Sequence, residues 1–100
     1  MNKFYKKLSD SDVNDGLKEL VNWNLSEGAI SRTFNFTNYH QTISFVNQVA
    51  DIANAINHHP DMNVSFKSCT VSFTTHAVEG ISILDFISAS RLDMLIESIS

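Results

Sequence analysis

A chain of 100 residues with 43% hydrophobic residues, ten of them aromatic, is of a size for one domain, spanning 1–100, with a single core. Its formal charge of -4 supplies no basic footprint, which disfavours direct nucleic-acid binding, and no apolar run approaches the length of a membrane span. Cys69 is the only cysteine and has no internal partner, and with no leader-like N-terminus the expected setting is the cytoplasm.

Residues 1–7 form a basic leader without periodicity, expected to be a loosely ordered tail or a short extra strand. Ser9 then caps a first helix with Asp10 and Asp12 in its opening turn and Val13, Leu17, Leu20 and Val21 at helical spacing; Asn22 is its exit. A hairpin follows, with a short strand over 23–25, a turn over 26–28 and a strand over 30–36. Ile30, Phe34 and Phe36 share one face of it and Ser31, Thr33 and Asn35 the other.

Thr37 or Asn38 caps a second helix of about twenty residues, in which Phe45, Val46, Val49, Ala50, Ile52, Ala53 and Ile56 spread over roughly half the circumference. Asn47, Asp51, Asn54 and His58 form a polar column on the remaining face. The column leads into the stretch 54–61, where two imidazoles precede the only proline. A residue before proline is pushed out of the α region, so the helix is predicted to stop at about His58, leaving His59 extended or in a turn and the two rings pointing apart. Carbonyls at a helix C-terminus favour positive charge, which suits His58 to proton donation near neutral pH.

Alternating runs over 63–67 and 70–76, joined at Ser68 and Cys69, direct Val64, Phe66, Val71 and Phe73 to the core. His76 falls on the face of Ser72 and Thr74 unless the strand ends before it. Ser82, with Asp85 three positions on, has the form of a capping box opening a third helix, whose Leu84, Ile87, Leu92, Leu95 and Ile96 face the core. The order α-β-β-α-β-β-α predicts an α+β fold, a four-stranded antiparallel sheet with three helices packed on one face.

Adjacent His58 and His59 diverge, and the i,i+4 spacing that sets two imidazoles on one ion is missing, so no metal site is expected. Cys69 has no sequence-evident base beside it and is read as packing; His40 is read as a surface residue.

One pattern stands apart: His58-His59-Pro60, five residues, the aromatic Phe66, nine more, His76, eight more and Asp85, with Trp23 and the 32–36 strand upstream. In this spacing the chain resembles the pterin-4a-carbinolamine dehydratases, the family also known for a dimerisation cofactor of a homeodomain transcription factor. The resemblance covers nearly the whole chain. It departs at Asn54, where the family usually carries an acid, which bears on catalytic efficiency, and at Met62, where an aromatic is common, which bears on a pocket wall.

The resemblance implies a hydro-lyase that removes water from 4a-hydroxytetrahydropterin, as in 4a-hydroxytetrahydrobiopterin, to give the quinonoid dihydropterin, recycling the cofactor of aromatic amino-acid hydroxylases. It implies no metal or organic cofactor, a homodimer or homotetramer, and a hydroxylase as the functional partner. Expelling hydroxide from C4a while removing the N5 proton needs one donor and one acceptor, and imidazole serves as either near its ordinary pKa of about 6.5. His58 and His76 are assigned to acid and base, in either order, and His59 to orienting the pterin. Asn57, Thr74, Thr75 and Asp61 are carried over as substrate contacts, together with Asn54 on the column; Asp85 is read chiefly as the helix start. The alternative is a non-catalytic dimerisation or protein-interaction module on the same fold, akin to a transcriptional coactivator.

Overall fold

The computed structural model describes residues 6–99. Most of the expected leader, residues 1–5, lies outside them. Three helices, α1 (Asp10–Glu19), α2 (Tyr39–Ile56) and α3 (Ile83–Ile99), accompany four strands, β1 (Asn24–Ser26), β2 (Ala29–Asn35), β3 (Asp61–Val64) and β4 (Ser68–Phe73). The strands form one antiparallel sheet in the order β1-β2-β4-β3. This is the α+β architecture expected from the element order.

Local chemistry sets the element ends. Ser9 accepts from the Asp12 N–H and Asn38 from the Gln41 N–H, each satisfying a donor that the first helical turn leaves open. Glu27 and Gly28 both take positive φ, 53° and 77°, in the two-residue loop between β1 and β2. That is the turn whose twist matches a hairpin, and glycine meets its second position without strain.

The sheet is amphipathic by its period of two. Ile30 and Phe34 of β2 and Cys69, Val71 and Phe73 of β4 are buried against the helices, with Trp23, Phe45, Val49 and Leu92 in the same cluster. Trp23 meets Phe34 edge-on at 6.1 Å, and Phe34 lies 4.6 Å from Phe45. Hydroxyls pair across the opposite face, Ser31 with Ser72 at 2.6 Å and Thr33 with Thr70 at 2.7 Å. Arg32 sits on the core side yet is not apolar. Its guanidinium lies 4.4 Å from the Phe34 ring centroid and reaches Asp93 of α3 at 2.5 Å, while the Trp23 indole N–H donates to the same Asp93 oxygen at 2.9 Å.

Four expectations need correction. Val21 follows α1 rather than continuing it and is 81% exposed. The β3 strand begins at Asp61 and ends at Val64, because the Ser65 N–H bonds to the Ser68 carbonyl and turns the chain there. Phe66 therefore occupies the turn, 65% exposed beside Tyr39, and Val64 at the strand end is half open, so neither is a core residue. Ser68 and Cys69 belong to β4 and are not the connection between strands.

Candidate active site

The second helix ends at Ile56, two residues before the predicted stop. Asn57 takes the left-handed conformation, φ 59°, and its N–H and that of His58 both bond to the Ala53 carbonyl. Asparagine tolerates this conformation better than most side chains do, and the turn satisfies a carbonyl that the helix end would leave orphaned. Asn57 thus acts as the helix cap. The reversal lays the His58 ring against Phe73 at the end of β4, nearly parallel, with centroids 6.0 Å apart.

His58 is tethered from its far side. Its Nε2 lies 2.6 Å from Oδ1 of Asp85, whose side chain is fully buried, while 11% of the histidine side chain remains open. The second carboxylate oxygen, Oδ2, accepts from the Ser82 N–H and from the Thr75 hydroxyl, each at 2.9 Å. The capping box read from the sequence is present, since an acid at the third helical position reaches back to the N-cap amide. It uses only one oxygen. The other turns a helix start into a histidine partner, and among the described residues Asp85 is the only carboxylate within ion-pair distance of a histidine.

His59 points elsewhere, as the proline argument requires, and its Nε2 meets Oδ1 of Asn54 at 2.9 Å on the open surface. The polar column on α2 therefore serves the second imidazole and not, as its spacing suggested, the first. His76 does not lie in the strand. β4 ends at Phe73, and His76 opens a short 3-10 turn (His76–Val78) inside a loop closed by the Thr75 N–H to Gly80 carbonyl bond at 2.9 Å. This closed loop holds His76 exposed at the same end of the sheet as Phe73.

The remaining expected substrate contacts divide. Asn54, Asn57 and Asp61 are exposed. Thr74 directs its hydroxyl to the carbonyls of Gly28 at 2.9 Å and Gly80 at 3.2 Å, tying the β1–β2 turn to the His76 loop. Thr75 is buried, and its hydroxyl is engaged within the protein by Asp85 and Ser82. The Leu8 N–H bonds to the Ile81 carbonyl and the Lys7 stem crosses Gly80, where a Cβ would stand 2.8 Å from the lysine Cε. The entering chain thereby packs on the His76 loop.

Two groups escaped the sequence reading. Ser82 appeared only as a cap, and the Arg32–Asp93–Trp23 cluster gave no signal because its members lie far apart in sequence and meet only through the packing of α3 on β2. Cys69, the second residue of β4, is buried, and burial pushes its thiol up from its ordinary value, which disfavours the thiolate that a nucleophile needs. Among the described residues no three His, Cys, Asp or Glu side chains gather as a metal site, and no helix is long and apolar enough to cross a membrane.

The site therefore offers an imidazole held by a buried carboxylate, with His59 beside it in sequence and His76 exposed on the loop after β4. Residues 6–95 match the family described as pterin 4 alpha carbinolamine dehydratase. A protein of Nitrosomonas eutropha, provisionally named pterin-4-alpha-carbinolamine dehydratase, is 47% identical over 92 residues, covering 91% of this chain and 81% of its own length. The crystal structure of a transcriptional coactivator/pterin dehydratase from Brucella melitensis superposes with a TM-score of 0.85 at 27% identity, covering 89% of this chain and 97% of the other. A pterin dehydratase-like protein identified as a RuBisCO assembly factor in the alpha-carboxysome shares the fold, with a TM-score of 0.61 at 19% identity over 73% of this chain and 84% of its own. The chain belongs to the pterin-4-alpha-carbinolamine dehydratase family.

Proposed function

We propose that this protein is a hydro-lyase that dehydrates 4a-hydroxytetrahydropterin, in the form of 4a-hydroxytetrahydrobiopterin, to the quinonoid dihydropterin. The observation that carries the reading is the 2.6 Å contact between His58 Nε2 and the buried Asp85. It occupies one ring nitrogen and leaves Nδ1 as the nitrogen that exchanges a proton with substrate. Loss of water removes the N5 proton, delivers a proton to the departing C4a hydroxyl and closes the C4a–N5 double bond, so the bound pterin needs two proton-transfer groups. His58 and His76 are those groups. His59, steadied by Asn54, orients the ring, and Asn57, Asp61 and Thr74 line its approach. The protein works as a cytoplasmic homo-oligomer on a product of an aromatic amino-acid hydroxylase.

The test is dehydration of a chemically generated 4a-hydroxytetrahydropterin by purified protein. Replacing either histidine, in His58→Ala or His76→Ala, is expected to lower the rate by roughly 10²–10⁴-fold with an unchanged circular dichroism spectrum. Wild-type rates in both variants would overturn the mechanism. A second reading, a protein-interaction module, is favoured by the exposed aromatic pair Tyr39 and Phe66. It replaces the first if the wild-type chain does not accelerate dehydration at all.

A further inference from the structure

We infer that Thr75 and Ser82 are positioning residues that fix the tautomer of His58 through Asp85, a role that rests on the dehydratase reading only for its catalytic consequence. The inference follows from counting protons. An ionised carboxylate only accepts. Thr75 has one hydroxyl proton and gives it to Asp85 Oδ2 at 2.9 Å. At its 2.7 Å contact with Ser82 it must therefore accept, so the Ser82 hydroxyl donates. The Ser82 oxygen in turn accepts from the Leu84 N–H at 3.2 Å, a helix-terminal amide that has a proton to give and no means of accepting one.

The chain is thus polarised one way, from the N-terminus of α3 through Ser82 and Thr75 to Asp85. Every member is buried, so no solvent exchange scrambles it. With Oδ2 already taken by two donors, Oδ1 is the oxygen left to receive the His58 Nε2–H. Neutral His58 is consequently held as the Nε2–H tautomer, with the lone pair on Nδ1. Without the Thr75 hydroxyl, Oδ2 keeps only the Ser82 N–H, Asp85 is held less firmly, and the ring gains access to the other tautomer.

The experiment is ¹⁵N NMR of the full chain labelled at histidine, recorded above the titration of His58 and without substrate, alongside dehydration kinetics. The wild type is expected to show Nε2–H at His58. Thr75→Val is expected to show a tautomer mixture and a kcat lower by roughly 10- to 100-fold, the range for one hydrogen bond to a charged group, with KM little changed. Thr75→Ser, which restores the hydroxyl, should recover both, and Ser82→Ala should behave as a weaker Thr75→Val. An Nδ1–H tautomer in the wild type, or a pure Nε2–H tautomer in folded Thr75→Val, overturns the inference. A wild type that fails to turn over pterin but loses its tautomer preference in Thr75→Val leaves the positioning role standing and removes the dehydratase reading alone.

Discussion

His59 donates through Nε2 to a neutral amide, Asn54, in a bond between two exposed groups. Such a bond is modest, on the order of 1 kcal/mol, and a carboxylate acceptor in the same place is roughly twice as strong. Asn54→Glu is therefore expected to raise turnover or lower KM by roughly 3- to 10-fold and to move the histidine-dependent limb of the pH profile upward, because a neighbouring negative charge favours the imidazolium. Asp51, one turn back on the column, is the competing source of charge. Loss of activity in Asn54→Glu together with a large loss in Asp51→Asn, both by steady-state kinetics, would transfer the acidic role to Asp51. At this scale the sequence offered candidate residues and was silent about whom they touch. Spacing on α2 placed Asn54 one turn before His58, yet the left-handed Asn57 rotates His58 away toward Phe73 and leaves His59 as the ring in reach. Asp85 was legible as a cap, and nothing in a one-dimensional pattern separates the uses of its two oxygens.

At the scale of elements, the helices were readable because caps and apolar periodicity are local, while strand ends were not, because pairing decides them. The alternation of Val64 and Phe66 continues past the point where β3 stops. Its partner β4 begins at Ser68, opposite Asn35, and the turn over 65–67 consumes the remaining residues. The link between β2 and α3 was invisible for a related reason: Arg32 interrupts an apolar face and makes sense only beneath Asp93. One carboxylate oxygen there receives both the Arg32 guanidinium and the Trp23 indole, in a partly buried setting. Removing it takes that shared acceptor from both the cation and the indole N–H. Asp93→Ala is expected to lower the unfolding free energy by about 2 kcal/mol, with Asp93→Asn losing about half as much because its amide oxygen still accepts. Urea unfolding followed by the emission of Trp23, the only tryptophan, measures both. A loss below about 0.5 kcal/mol for Asp93→Ala would class the pair with ordinary surface ion pairs.

For the molecule as a whole, the fold leaves apolar surface uncovered in a connected region. Phe66 stands beside Tyr39 with ring centroids 6.4 Å apart, Val64 ends the outer strand β3, and among the described residues that strand pairs on one side only. An open strand edge flanked by aromatics is a place where a soluble chain gains by association, and a symmetric homo-oligomer pairs such an edge with its own copy. The half-buried flanks of the α2 arc, Val46, Ile52 and Ile56, add a second apolar stripe. Light scattering on a sizing column at micromolar concentration is expected to give a dimer or a tetramer. A monomer mass would refute this, and an oligomer that survives Phe66→Ser would move the contact to α2.

The double duty of Asp85 also sets how this fold ages under relaxed selection. His59 and His76 lie on the surface, and drift can replace them at little cost to folding. Asp85 cannot drift so freely, because the carboxylate that holds His58 also closes the first turn of α3 and answers the buried hydroxyl of Thr75. Loss of His59 and His76 is thus expected to leave the fold intact, whereas loss of Asp85 removes a helix cap and a buried acceptor together. Under the proposed dehydratase reading, the exposed histidines and not the buried aspartate would therefore be the marker of retained chemistry.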